Sequence, residues 1–175
     1  MWRSGWRAGT AVGAVSSWND KVQATIFRPN HLAPTFSEKL VAKPPRFNAF
    51  YDVEDVKPVD GASWKLELAG RIANKKPWTV QDVYALPEQE LIIRHICVEG
   101  WDYIGQWSGP NLRQFLERIG ADMTAKYIAF RCAAGYTEIL DMPTALHTQT
   151  ILAQKYAKEP TTHTCGFPIS LRTAT

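Results

Sequence analysis

An apolar run of eight residues, Leu91 to Val98, ends on Glu99-Gly100, and no other stretch constrains the fold as strongly. A run this short, closed by a glycine turn, predicts a largely buried central strand. Side chains two apart on a strand share a face. His95, Cys97 and Glu99 therefore line one side of it, and Ile92, Arg94, Ile96 and Val98 the other.

Shorter elements gather around this strand. Trp64 to Leu68 alternates apolar and polar residues and predicts a half-buried strand. Thr79 with Asp82 three residues on predicts a capped helix through Val83 and Leu86, stopped by Pro87. Ser108-Gly109-Pro110 opens a second helix, in which Leu112, Phe115, Leu116 and Ile119 form one buried face and Gly120 is the stop. Strands are predicted over Tyr127 to Arg131, Tyr136 to Leu140 and Thr150 to Tyr156, and one helical turn over Pro143 to His147. Short strands mixed with short helices make an α+β domain. Residues 1–45 carry Pro29, Pro34, Pro44 and Pro45 and show no persistent period, so they read as an extended N-terminal arm, with the domain proper at 46–175.

Composition narrows the function classes. The 175 residues are 45% apolar and 21% charged, which fits one globular domain with a core. The net charge of +3 comes from scattered basic residues, not from the runs that mark a nucleic-acid arm. No stretch reaches the length of a membrane span, and Ala8 to Val15 behind Arg3 and Arg7 is too weakly apolar for an export signal. Cys97, Cys132 and Cys165 are odd in number, widely spaced and without a C-x-x-C pair, which argues against a disulfide framework and a zinc ribbon. Seven tryptophans serve packing and also offer stacking partners to a flat ligand.

Cys97 is the residue with chemistry to offer. A single cysteine is by default a small core hydrophobe. This one sits where a strand gives out, with His95 on its face and Trp101, Tyr103 and Trp107 beyond it. Two chemistries suit it: a nucleophilic thiolate with a histidine base, and a soft-metal ligand. Residue types and spacing leave both open.

The segment Arg94-His95-Ile96-Cys97-Val98-Glu99-Gly100-Trp101, followed by Trp107-Ser108-Gly109, resembles the molybdenum-ligating motif of the sulfite oxidase and methionine sulfoxide reductase catalytic subunit family. Phe47-Asn48-Ala49-Phe50-Tyr51-Asp52 is similar to that family's cofactor-contacting loop, and Asp141 to His147 and Gly166-Phe167-Pro168 to its downstream landmarks. The resemblance implies a mixed, β-rich sulfite oxidase-type fold with short helices. It implies molybdopterin as cofactor, Cys97 as the metal ligand and catalytic centre, and Asn48, Tyr51, Asp52, Cys132 and His147 against the pterin. The implied reaction is oxygen-atom transfer at a sulfur centre, either sulfoxide reduction or sulfite oxidation, with a small-molecule oxo donor or acceptor as substrate. The chain has no haem-attachment signature, so a separate haem protein is the implied electron partner, and the family resemblance implies the periplasm.

The pattern departs from the family at four places. Ser170 stands where relatives carry arginine, Ala134 where they carry aspartate and Thr148 where they carry proline, and the chain stops at Thr175 before a segment that closes over the pterin phosphate. Arg172, two residues on, is the arginine that a small shift would bring to that phosphate. A C-terminally truncated member is thus expected. Its rivals are a metal-free thiol enzyme using Cys97 and His95, and a non-catalytic remnant.

Overall fold

The computed structural model describes residues 8–26, 31–47, 52–97, 99–133 and 135–173. The chain forms two units, Met1–His31 and Leu32–Thr175. The first contains helix α1 (Ala8–Ile26). This differs from the extended arm expected over 1–45. The prolines that suggested it all lie at Pro29 and beyond, whereas Ala8, Ala11, Ala14 and Ala24 favour helix. No described helix is long and apolar enough to cross a membrane.

The second unit runs β1 (Lys65–Leu66), β2 (Trp78–Thr79), α2 (Val80–Tyr84), β3 (Gln89–Ile96), β4 (Asp102–Gly109), α3 (Leu112–Arg118), β5 (Tyr127–Arg131), β6 (Thr137–Asp141), α4 (Met142–Ala145), β7 (Ile151–Ala153), β8 (Lys155–Tyr156), β9 (Glu159–Pro160) and β10 (Ser170–Arg172). It is a mixed α+β fold. A four-stranded sheet in the order β3-β4-β8-β9 is joined by the pairs β1-β2, β5-β6 and β7-β10. All ladders are antiparallel.

The β3-β4 hairpin is the backbone of the site. Its register runs from Gln89 opposite Gly109 to Ile96 opposite Asp102. Residues 32–42 lie against it: the Phe36 amide donates to Ile92 O at 3.0 Å, and the Ala42 amide to Ile104 O at 2.9 Å. Sequence reasoning missed β4 and placed the start of the second helix at Ser108. Ser108 is instead a strand residue, opposite Glu90 on one side and Lys155 on the other. The helix begins four residues later, at Leu112, behind Asn111, whose Oδ1 accepts the Gln114 amide at 3.3 Å. Gly109 is required where the chain leaves the sheet, because a Cβ there would strike the Leu152 carbonyl oxygen.

Two apolar clusters flank the hairpin. The α3 face of Leu112, Phe115, Leu116 and Ile119 packs with Leu86, Met142, Ala145 and Leu152, each large side chain contributing about 1.5–3 kcal/mol by burial. Leu91 and Ile93 of β3 pack with Trp107, Ile151, Ala153, Tyr156 and Cys165. The expected strand over Thr150 to Tyr156 is split at the buried Gln154, where the chain passes from the β7-β10 pair to the main sheet. The Gln154 amide donates to Ser108 O, and its carbonyl accepts the Thr161 amide and the Tyr84 hydroxyl.

Candidate functional site

Cys97 is the first residue after β3 and is buried. Its amide donates to Trp101 O at 2.9 Å, and the Gly100 amide donates back to Cys97 O at 3.0 Å. These bonds close the turn between β3 and β4, with Gly100 at φ +88°, the left-handed position such turns assign to glycine. Alternation along β3 then puts Leu91, Ile93, His95 and Cys97 toward the second cluster. Glu99, expected on that strand face, belongs to the turn. Its Oε2 accepts the Trp101 indole N–H at 2.7 Å.

Aromatic rings continue from the turn along the sheet. The His95 centroid lies 5.9 Å from Trp101 and 5.3 Å from Tyr103, and Trp101 and Tyr103 stack at 6.0 Å and 21°. The Arg46 guanidinium lies over Trp101 at 4.6 Å. Burial lowers the His95 pKa, and the positive charge of Arg172 adds to the effect.

Farther along the same face, the Arg172 guanidinium lies 3.9 Å from the Trp107 ring centroid. Burial lowers its pKa against the pull of Tyr103, Cys165 and Tyr156. Its Nε, the Trp107 Nε1 and the Ser170 Oγ are buried without a hydrogen-bond partner among the described residues. Ser170 and Arg172 are two apart on β10 and share a face. Three buried groups able to donate, one of them cationic and none bonded, form an environment that favours an anion.

The other residues singled out by sequence are distributed over different elements. Asn48 and Tyr51 lie outside the described residues. Asp52 is exposed and heads a single 3-10 turn, its carbonyl accepting the Asp55 amide. Cys132 is exposed in the β5-β6 turn, its amide bonded to Tyr136 O, and partial burial followed by the Glu138 charge raises its pKa. That exposure does not fit the alternative of a small buried core residue. His147 is buried after α4, where its Nδ1 accepts the Gln149 amide at 3.1 Å and so caps the turn. No disulfide joins Cys97, Cys132 and Cys165. Sequence reasoning noted Trp101, Tyr103 and Trp107 beyond Cys97 but did not bring Arg172 onto Trp107. The period-2 placement of Trp101, Tyr103 and Trp107 was the available signal.

Among the described residues no group of three or more His, Cys, Asp or Glu could hold a metal ion. A metal at Cys97 would thus take most of its ligands from a bound group. The Cys97 sulfur, the Arg172 guanidinium and the buried Arg172 Nε and Trp107 Nε1 donors suit a metal carried by an anionic organic cofactor.

Comparison with known proteins points to a cofactor of that class. Residues 53–174 match the family model described as oxidoreductase molybdopterin binding domain. The chain is 44% identical over 166 residues to the "Putative protein-methionine-sulfoxide reductase subunit YedZ1" of Azospira oryzae, covering 95% of this chain and 63% of that protein. It is 28% identical over 126 residues to the protein-methionine-sulfoxide reductase catalytic subunit MsrP of Campylobacter jejuni, covering 62% and 42% respectively. The chain thus spans less than two thirds of the length of these relatives. The sulfane dehydrogenase SoxCD of Paracoccus pantotrophus shares the fold with a TM-score of 0.61 at 14% identity, over 67% of this chain and 35% of that one. With a family model matched from the 3-10 turn at Val53 to the end of β10, and with Cys97 and Arg172 both inside it, the chain belongs to the oxidoreductase molybdopterin-binding domain family.

Proposed function

We propose that this chain is the molybdopterin-binding part of a sulfite oxidase-type enzyme that transfers an oxygen atom at a sulfur centre, in the direction of sulfoxide reduction. One observation carries the reading: Cys97 is held in a hydrogen-bonded turn two residues past His95, and His95 feels the charge of the Arg172 guanidinium that lies over Trp107. The names of the relatives support methionine sulfoxide as the substrate class.

Bound molybdopterin supplies the two-electron, oxygen-transferring metal centre. The chain supplies its placement. Cys97, as thiolate, is the protein ligand to molybdenum. Arg172, stacked on Trp107 and beside the Ser170 hydroxyl on β10, neutralises the pterin phosphate in this reading. Asn48, Tyr51, Asp52 and Cys132 contact the pterin in this reading, and His147 fixes the turn that borders it. His95 packs on Trp101 and Tyr103 and stiffens the strand end. Burial lowers its pKa, and the nearby Arg172 charge lowers it further. Electrons come from a haem-containing partner, and the family resemblance points to the periplasm.

Molybdenum content tests the reading directly. Chain produced in a host that makes the cofactor should retain molybdenum, and Cys97→Ser should lose it while keeping its fold by circular dichroism. Equal molybdenum in the two proteins would overturn the assignment.

A further inference from the structure

The turn carrying Cys97 is closed by its backbone and again by side chains. The backbone bonds are Cys97 N–H to Trp101 O and Gly100 N–H to Cys97 O. The side-chain bond joins the Trp101 indole N–H to Glu99 Oε2 at 2.7 Å. A bond to an ionised carboxylate is among the stronger hydrogen bonds. Nothing lies within 4 Å of where a Gly100 Cβ would point, so open space borders the turn there. Backbone bonds at an exposed hairpin end open readily. The indole is held differently. Its ring is engaged by Arg46 at 4.6 Å, Tyr103 at 6.0 Å and His95 at 5.9 Å, all on or against the sheet.

We infer that Trp101 and Glu99 form a clamp that ties the turn to the sheet and thereby fixes the Cys97 sulfur, making Trp101 a positioning residue for the metal ligand. Metal sites depend on such supporting bonds, because a ligand displaced by a fraction of an ångström binds poorly. The significance of the clamp rests on the proposed role of Cys97. The clamp itself can be tested without any metal.

The test is the rate of iodoacetamide alkylation of Cys97 in the full chain purified without molybdenum, resolved from Cys132 and Cys165 by peptide mass spectrometry. Cys165 is buried in the second cluster and reports general loosening. Trp101→Phe keeps a stacking ring and deletes the N–H, and Glu99→Ala deletes the acceptor. Each should speed Cys97 alkylation about five- to tenfold, with Cys165 unchanged. Glu99→Gln retains a side-chain carbonyl for the indole and should stay within about twofold of the parent chain. An unchanged Cys97 rate in Trp101→Phe and Glu99→Ala overturns the clamp. So does a joint rise of Cys97 and Cys165, which marks general destabilisation. So does a Glu99→Gln rate equal to that of Glu99→Ala, which marks a charge effect. If the parent chain never retains molybdenum, the ligand reading fails while the alkylation pattern still decides the clamp.

Discussion

Arg172 lies over Trp107 at 3.9 Å from the ring centroid, and the Nε of one and the Nε1 of the other are both buried without a bonding partner. Cation–π attraction offsets part of the desolvation of the guanidinium, but a buried cation lacking an anion still destabilises the metal-free chain. Arg172→Met keeps a similar volume and removes the charge. The expected result is a metal-free chain that is as stable or more stable, by about 1 kcal/mol, in urea denaturation, together with reduced molybdenum retention. A loss of stability with unchanged molybdenum would reverse the assignment of Arg172 from anion partner to structural residue.

Asn111 joins three parts of the fold. Its Oδ1 caps α3, and its Nδ2 donates to Thr148 O at 2.9 Å and Thr150 O at 3.3 Å. Asn111→Ala deletes the cap and the donor shared by Thr148 O and Thr150 O. It should cost about 2–3 kcal/mol, read as a lowered urea midpoint at unchanged slope.

Two glycines should respond differently to alanine. At Gly109 the added methyl meets backbone, the Leu152 carbonyl, which cannot move without disturbing the β7-β10 pair. Gly109→Ala should cost more than about 3 kcal/mol and yield little folded protein. At Gly100 there is open space but φ is +88°. Gly100→Ala should cost only about 1 kcal/mol, so its thermal midpoint should stay close to that of the parent chain.

The pH dependence has a readable component at α2. Asp82 Oδ2 accepts the Thr79 amide and the Thr79 hydroxyl, and these bonds hold its carboxyl below the ordinary 3.8. A carboxylate with a lowered folded pKa contributes stability that is fully present above its unfolded value. That contribution is lost as pH falls through the folded one. Asp82→Asn should therefore be less stable than the parent chain near neutral pH, and the two urea midpoints should converge as pH falls through the lowered pKa of Asp82. Parallel curves across that range would show that the carboxylate charge plays no part.

Local signals were legible and long-range ones were not. The Thr79–Asp82 capping box, the α3 face from Leu112 to Ile119 and the bounds of β5 each depend on neighbours within a few residues, and each is present as read. β4 was hidden because its ladder partner, β3, is what makes Asp102 to Gly109 a strand, and Gly105 interrupts its aromatic alternation. α1 was hidden because prolines that follow it coloured the reading of the whole N-terminal stretch. At the site, Cys97 could be singled out from its own segment. The stacking of Arg172 on Trp107 joins β10 to β4 and has no counterpart in local pattern. Its unbonded N–H groups became visible only once burial was known.

The pairing of Ile96 with Asp102 carries a consequence for how this chain tolerates insertion and deletion. Strand side chains alternate, so a one-residue frameslip between the two arms of the hairpin would point the sulfur outward with Arg94 and Ile96 and bring a neighbour inward. Indels of a single residue inside 89–109 should thus lower the yield of folded protein, because Leu91 and Ile93 share the face of Cys97 and turn outward with it. Mutational tolerance there is a matter of parity, even against odd, before it is a matter of residue chemistry.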